Sequence, residues 1–416
     1  MTSRQICLTA LNRIEIDGAY SNITFGALIS KEKLSNEEKA FASRLFYGVL
    51  EKKRVLDFNI KPFLKRPIEK LDPDVLNILR MGMYQLLFMD SVPDNAAVNE
   101  CVKLCTFTKK KSASGFVNAL LRSKIRDGKE LRIPKAISER LSVSESVANL
   151  FVNQYGEEKT DKIFAAFEKG LNQYIRVNTE KISVNEFIAL LEKENIIAEK
   201  IDELSGALVC NKITAQNELF KKGYFYFQDL SSQYACKALE SEDAESILDL
   251  CAAPGSKSFT LSLMAKKECK ITACDVSENR VSLIKNSLAR LEIKNITPII
   301  NDATVYNQKL GKFDRVLCDV PCSGLGVIGK KPEIRYKEID ENELFDIQYL
   351  ILTNGSKYLK DGGVMVYSTC TINKCENEKV VQAFLDKNKD FSLTFQKTFL
   401  PDQDNCNGFF VATLKK

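Results

Sequence analysis

The chain is 416 residues long, 44% apolar and 28% charged, an ordinary composition for a soluble protein with room for more than one domain. It contains no histidine, which excludes Ser-His-Asp and Cys-His catalysis and any His-ligated metal, so its chemistry must rest on Cys, Asp, Glu, Lys, Ser or Tyr. The 13 cysteines are scattered and form no C-x-x-C pair, which argues for a reducing cytoplasm and against a disulfide framework or a zinc site. No apolar run nears the roughly 20 residues of a membrane span, and the N-terminus lacks the layout of a secretory signal.

The net charge of +5 is unevenly spread: residues 1–140 hold 25 Lys+Arg against 16 Asp+Glu. A basic block of this kind resembles a phosphate-backbone footprint, although a solvated lysine-rich surface gives the same count. Lys109, Lys110, Lys111 and Arg122 within it are candidate RNA contacts. From Met1 to about Arg126 the apolar spacing is helical, as in Ile6, Leu8, Leu11 and Ile14. The run from Val75 to Leu87 is apolar on most sides and predicts a central buried helix. Gly128 to Pro134 breaks the pattern. Helices are expected over 146–154, 157–168 and 184–193, with strands at 174–178, 207–210 and 223–227, a small α+β insert. This divides the chain into a helical domain (1–130), a linker with the small α+β subdomain (131–228) and a doubly wound α/β domain (229–416).

In the last part strands are expected at 247–251, 271–275, 297–301, 314–319 and 363–368, closed by a hairpin of strands near 391–396 and 408–414. The stretch Ser246 to Ser258 reads as strand, tight turn and helix, the unit whose carboxyl edge binds ligands. Its turn lacks G-x-G-x-x-G, so a carboxylate-and-ribose ligand such as S-adenosylmethionine suits it better than a dinucleotide. Cys251, Ala252, Ala253, Pro254, Gly255, Ser256 and Lys257 form that loop. Asp275 ends the second strand, where a carboxylate can accept ribose hydroxyls, and Asp302 ends the third. Either aspartate alone would also serve as a helix N-cap.

The fourth strand runs into Asp319-Val-Pro-Cys322-Ser-Gly324, and the fifth ends at Tyr367-Ser-Thr-Cys370-Thr371. Two thiols thus reach one sheet edge beside the cofactor loop. Carbon 5 of a pyrimidine is a poor nucleophile, and a thiolate adding at carbon 6 makes it enamine-like. A second thiol can help eliminate the adduct. Cysteine is more often a buried small hydrophobe, and Cys251, Cys274 and Cys318, expected inside strands, are assigned to packing. Residue chemistry does not say which thiol attacks.

These motifs, together with Arg280, Glu376-Asn-Glu378 and Gly408-Phe-Phe-Val-Ala412, resemble the RsmB/Sun family of ribosomal RNA cytosine-5 methyltransferases. Leu79 to Leu87, Ala96 to Glu100 and Gly115 to Arg122 resemble its NusB-like helical domain, and Arg176-Val-Asn-Thr179 and Gln228 to Gln233 match its insert and junction. The resemblance implies a Rossmann-like, S-adenosylmethionine-dependent methyltransferase domain behind a NusB-like RNA-binding domain, acting in the cytoplasm as a monomer without metal or membrane. It implies Cys370 as nucleophile, Cys322 as release thiol, and Asp319 as a hydrogen-bond partner of the base. Lys257 is expected beside the thiol or the base. Residues 251–257, Asp275, Arg280, Asp302 and Asp319 would line the cofactor, and Lys330, Lys331 and Arg335 would touch RNA. The implied target is cytosine 967 of 16S ribosomal RNA. Ser256, Ser258, Lys331, Asn95 and Asn407 depart from the family pattern, and none of these touches the two thiols.

Overall fold

The structure, a computed structural model, describes residues 1–340 and 343–416. The chain forms two compact units, Met1–Glu157 with Lys330–Ile339, and Glu158–Gly329 with Asp340–Lys416.

The first unit is helical and is built around the helix Pro73–Phe88. Asp72 caps its start by accepting from the Asp74 N–H, and Pro73 sits where no intrahelical donor is needed. Ile78, Leu79, Met81 and Met83 are fully buried against Leu45, Phe46, Cys101 and Leu121. The one cation on this helix, Arg80, is also buried. Its guanidinium donates to Asp57 at 2.8 Å and to Glu15 at 2.9 Å. Burial works against the Glu15 carboxylate, yet Arg80 and Lys53 hold its pKa down to about 2.

This unit is larger than the sequence boundary at residue 130. The helices Ile137–Arg140 and Glu145–Tyr155 belong to it, and so does the short turn Pro332–Tyr336. Arg335 therefore departs from its expected role at an RNA surface. It is fully buried, and Nη1 donates to the Leu141 carbonyl at 2.9 Å. Tyr336 donates to the Leu50 carbonyl at 2.5 Å, and Glu333 accepts from the Ser21 hydroxyl at 2.5 Å. A guanidinium consumed inside a packed turn has no surface to offer a phosphate.

The second unit holds two sheets. In the small one, β1 (Tyr174–Val177), β2 (Ala198–Lys200), β3 (Ala207–Cys210) and β4 (Phe225–Phe227) are antiparallel in the order β2-β3-β1-β4. Strand β2 was not expected. The large sheet comprises β5 (Ser246–Asp249), β6 (Lys270–Asp275), β7 (Ile296–Ile300), β8 (Phe313–Asp319), β9 (Leu359–Thr369), β10 (Ser392–Phe399) and β11 (Phe409–Lys415). Its order is β10-β11-β9-β8-β5-β6-β7, with β5 to β9 mutually parallel, β11 antiparallel to β9 and β10 antiparallel to β11.

Ile247, Leu248, Val316, Leu317, Met365 and Val366 are buried in strands covered on both faces, which accounts for their unbroken apolar runs. The chain reverses direction across the sheet between β5 and β8, so the carboxyl ends of β5, β6, β8 and β9 open onto one crevice. The small sheet is tied to the large domain by Asn178, whose amide donates to the Gly223 and Leu291 carbonyls at 3.1 and 2.8 Å.

Candidate active site

At the end of β5, Asp249 is fully buried, and its Oδ2 accepts from the Ser258 hydroxyl at 2.6 Å. The turn that follows places Gly255 at φ +112°, a left-handed conformation, with the Phe259 ring 2.3 Å from where a β-carbon would stand. Only glycine fits there. The helix Ser256–Met264 starts on Gly255 and so has no side-chain cap for its N–H groups.

On β6, the Asp275 carboxylate accepts from the Ala253 N–H at 3.1 Å and the Val276 N–H at 2.9 Å, and Arg280 Nε meets it at 2.9 Å. Asp302 lies two residues past β7 on the exposed loop and accepts from the Thr304 N–H and hydroxyl at 2.8 and 2.6 Å.

The end of β8 carries Asp319, which links two partners: Lys257 Nζ donates to Oδ2 at 2.8 Å, and the Ser368 hydroxyl donates to Oδ1 at 2.7 Å. Burial opposes the Lys257 charge, but Asp319, with Cys236 and Cys370 nearby, holds its pKa above the usual lysine value. Lys257 is therefore a fixed cation within reach of the second thiol's field.

Three residues beyond Asp319, the Cys322 Sγ lies 3.1 Å from the Cys370 Sγ, and both thiols are half-buried. The hydrogen bond to Cys370, burial and the Glu376 carboxylate all push the Cys322 pKa well up. Either sulfur can donate the proton between the two thiols. Cys274 and Cys318, by contrast, are buried inside strands, whereas Cys251, expected in a strand, lies in the turn two residues past β5 and is half-buried.

The backbone around Cys370 is clamped. Its carbonyl accepts from the Gly326 N–H at 3.1 Å, and the Gly326 carbonyl accepts from the Gly408 N–H at 2.8 Å. A β-carbon on Gly326 would fall 1.9 Å from the Gly408 carbonyl oxygen, so the two chains can meet only at glycine. Asn407, one of the departures from the family pattern, donates to Asp229.

The structure thus brings together the 251–257 loop, Asp275, Arg280, Asp319, Cys322 and Cys370. Lys109 and Lys111 are exposed on the helical unit, Lys110 pairs with Asp72 at 2.6 Å, and Arg122 donates to Asn118 at 2.9 Å. Lys330 is exposed and Lys331 half-buried. Two site residues had been given no role from sequence, Asp249 and Glu376. Asp249 was signalled by an acidic residue closing an apolar strand at the glycine turn. Glu376 stood in the sequence only as part of a resembling motif, and its fold partners give it a role. Among the described residues, no group of three or more His, Cys, Asp or Glu could hold a metal ion, and no helix is long and apolar enough to cross a membrane.

Asp249 gives a pH prediction. Burial pushes its carboxyl up to about 7, with Ser258 and Lys257 opposing and Asp319 adding to the rise. The folded pKa lies above the unfolded one, so its contribution to stability is complete below about pH 4 and is lost as pH rises through about 7. Asp249→Asn should therefore melt progressively higher than the wild type as pH goes from 5 to 8 in cofactor-free thermal scans. A melting-point difference that does not change with pH would contradict a buried, titrating Asp249.

Comparison with known proteins places the chain in a family. Residues 236–415 match the family described as 16S rRNA methyltransferase RsmB/F, residues 1–126 the NusB family, and residues 147–215 the RsmF/B-like ferredoxin-like domain. A probable ribosomal RNA small subunit methyltransferase B of Bacillus subtilis is 33% identical, covering 99% of this chain and 98% of that protein. The ribosomal RNA small subunit methyltransferase B of Proteus mirabilis is 32% identical over 93% of this chain and 92% of its own. Among solved structures, that of PH0851 superposes with a TM-score of 0.85 at 25% identity, covering 100% of this chain and 99% of that one. With relatives of this identity spanning its whole length, the chain belongs to the RsmB/F family of 16S rRNA methyltransferases.

Proposed function

We propose that this protein methylates carbon 5 of a cytosine in small-subunit ribosomal RNA, cytosine 967, through a covalent bond between Cys370 Sγ and carbon 6 of the base. The observation that carries the proposal is the 3.1 Å approach of Cys322 and Cys370 at adjacent strand ends beside the β5 turn.

The crevice suits S-adenosylmethionine. Asp275 presents a carboxylate braced by two backbone N–H groups, and Asp249 Oδ1 is buried without a hydrogen-bond partner. The uncapped helix start at 256–257 offers N–H donors for a carboxylate. Residues 251–257, Asp275, Arg280, Asp302 and Asp319 would hold it. When bound, S-adenosylmethionine supplies an electrophilic methyl group.

The protein's own groups prepare the base. The Lys257 cation favours the Cys370 thiolate. That thiolate adds to carbon 6 and places the electron pair on carbon 5. Asp319, held by Lys257 and Ser368, orients the cytosine edge. Once carbon 5 is methylated, solvent water takes its proton, the freed electron pair rebuilds the carbon 5–carbon 6 double bond, and the carbon–sulfur bond breaks with Cys370 leaving as the thiolate. The Cys322 thiol donates a hydrogen bond to the departing Cys370 sulfur. Lys109, Lys110, Lys111, Arg122, Lys330 and Lys331 serve the RNA backbone, and a base in a loop or an open segment reaches the thiols more easily than a stacked one.

The product identifies the reaction. Incubation with unmodified small-subunit rRNA and S-adenosylmethionine, then nuclease digestion and mass spectrometry, should yield 5-methylcytidine at one site. Methylation found on nitrogen 4 or on a ribose would overturn the proposal.

A further inference from the structure

Glu376 is buried, with 1% of its surface exposed, and the reaction proposed above gives it nothing to do. Both of its carboxylate oxygens meet donors. Oε2 accepts from the Ser323 N–H at 2.8 Å and from the Gln348 amide at 3.0 Å; Oε1 accepts from the Ser323 hydroxyl at 2.5 Å and the Asn373 amide at 3.0 Å. The Gln348 amide also donates to the Pro321 carbonyl at 3.0 Å. Residues 321 and 323 flank Cys322, so one carboxylate and one amide fix both sides of that thiol. The Ser323 hydroxyl also lies 2.9 Å from the Thr371 hydroxyl, next to Cys370, which ties the two thiol-bearing segments together. Tyr367 on β9 donates to the Glu376 carbonyl at 2.5 Å and anchors the carboxylate's own backbone to the sheet.

We infer that Glu376 is a positioning residue for release: its carboxylate holds the Pro321–Ser323 loop so that Cys322 stays against Cys370, and its loss stalls the enzyme after the covalent adduct has formed. The inference rests on the two-thiol reaction proposed above. Cys370, which carries the attacking sulfur, stands one residue past β9, and its carbonyl is also held by Gly326, which Gly408 braces, so a loosened 321–323 loop moves Cys322 more than Cys370. Only a full carboxylate can accept from all four donors. In Glu376→Gln one oxygen becomes an NH2 facing another donor, and that side of the clamp opens.

The test compares wild type, Cys322→Ala, Glu376→Gln and Gln348→Leu on small-subunit rRNA with S-adenosylmethionine. Multiple turnover and the denaturant-resistant protein–RNA band are both followed, and binding of S-adenosylhomocysteine and thermal melting report folding. Glu376→Gln should turn over at least about tenfold more slowly with an unchanged KM for S-adenosylmethionine, and should accumulate the shifted band that wild type clears. Gln348→Leu, which removes the donor to Pro321 and leaves the carboxylate in place, should show a smaller rise in the same band. A merely structural role would lower turnover and adduct together, and that result in both folded variants overturns the inference, as does unchanged turnover. If Glu376→Gln does not fold, Gln348→Leu decides by the same two readouts. A Cys322→Ala protein that forms no adduct would sink the underlying two-thiol reaction and the inference with it.

Discussion

Cys370→Ala is expected to abolish methyl transfer, by at least about 10⁴-fold, while S-adenosylmethionine still binds. The size of the effect follows from chemistry. Without addition at carbon 6, carbon 5 has no electron pair to offer, and no neighbouring group replaces the nucleophile. Cys322 lies only 3.1 Å away, but burial and the Glu376 carboxylate still disfavour its thiolate. The fold should barely respond, because the clamp on residue 370 is made by its backbone carbonyl. Calorimetric titration with S-adenosylhomocysteine and a methyl-incorporation assay check both halves. Residual activity within a hundredfold of wild type would mean that another group attacks.

Lys257→Met carries the second-largest effect, a loss of about 10²- to 10³-fold in kcat. It removes the cation that favours the Cys370 thiolate and leaves the Asp319 carboxylate without its partner at 2.8 Å. Breaking a largely buried pair from one side costs about 3 kcal/mol in stability, whereas removing both charges costs far less. The double variant Lys257→Met, Asp319→Asn should therefore recover most of the lost melting temperature and none of the activity. Stopped assays and thermal melts on the two proteins check this. Activity that returns along with stability would reduce Lys257 to a structural role.

Much of the fold was legible because its strands are buried on both faces. β5, β6, β8 and β9 read as apolar runs ending in Asp249, Asp275, Asp319 and Thr369, so the catalytic edge could be placed from sequence within a residue or two. Strand β2 was missed because Ala198-Glu199-Lys200 is short and mostly exposed, and only its pairing with β3 makes it a strand. The segment 330–339 looked like a basic loop for RNA. Its place in the helical unit depends on partners such as Leu141 and Leu50, about two hundred or more positions away in the chain, which no local pattern encodes. The two thiols were visible because Pro-Cys and Thr-Cys end predicted strands. The Glu376 clamp was not, because four donors from three separate segments converge on it only in the folded chain.

The most direct test of the central claim mixes Cys322→Ala protein with small-subunit rRNA and S-adenosylmethionine and resolves the mixture on a denaturing gel. A retarded protein–RNA band that disappears in the Cys322→Ala, Cys370→Ala double variant is the predicted result, and it fixes Cys370 as nucleophile and Cys322 as the release thiol. A band trapped by Cys370→Ala alone would reverse those roles. No band in either single variant, with cofactor still bound, would contradict covalent catalysis at this site.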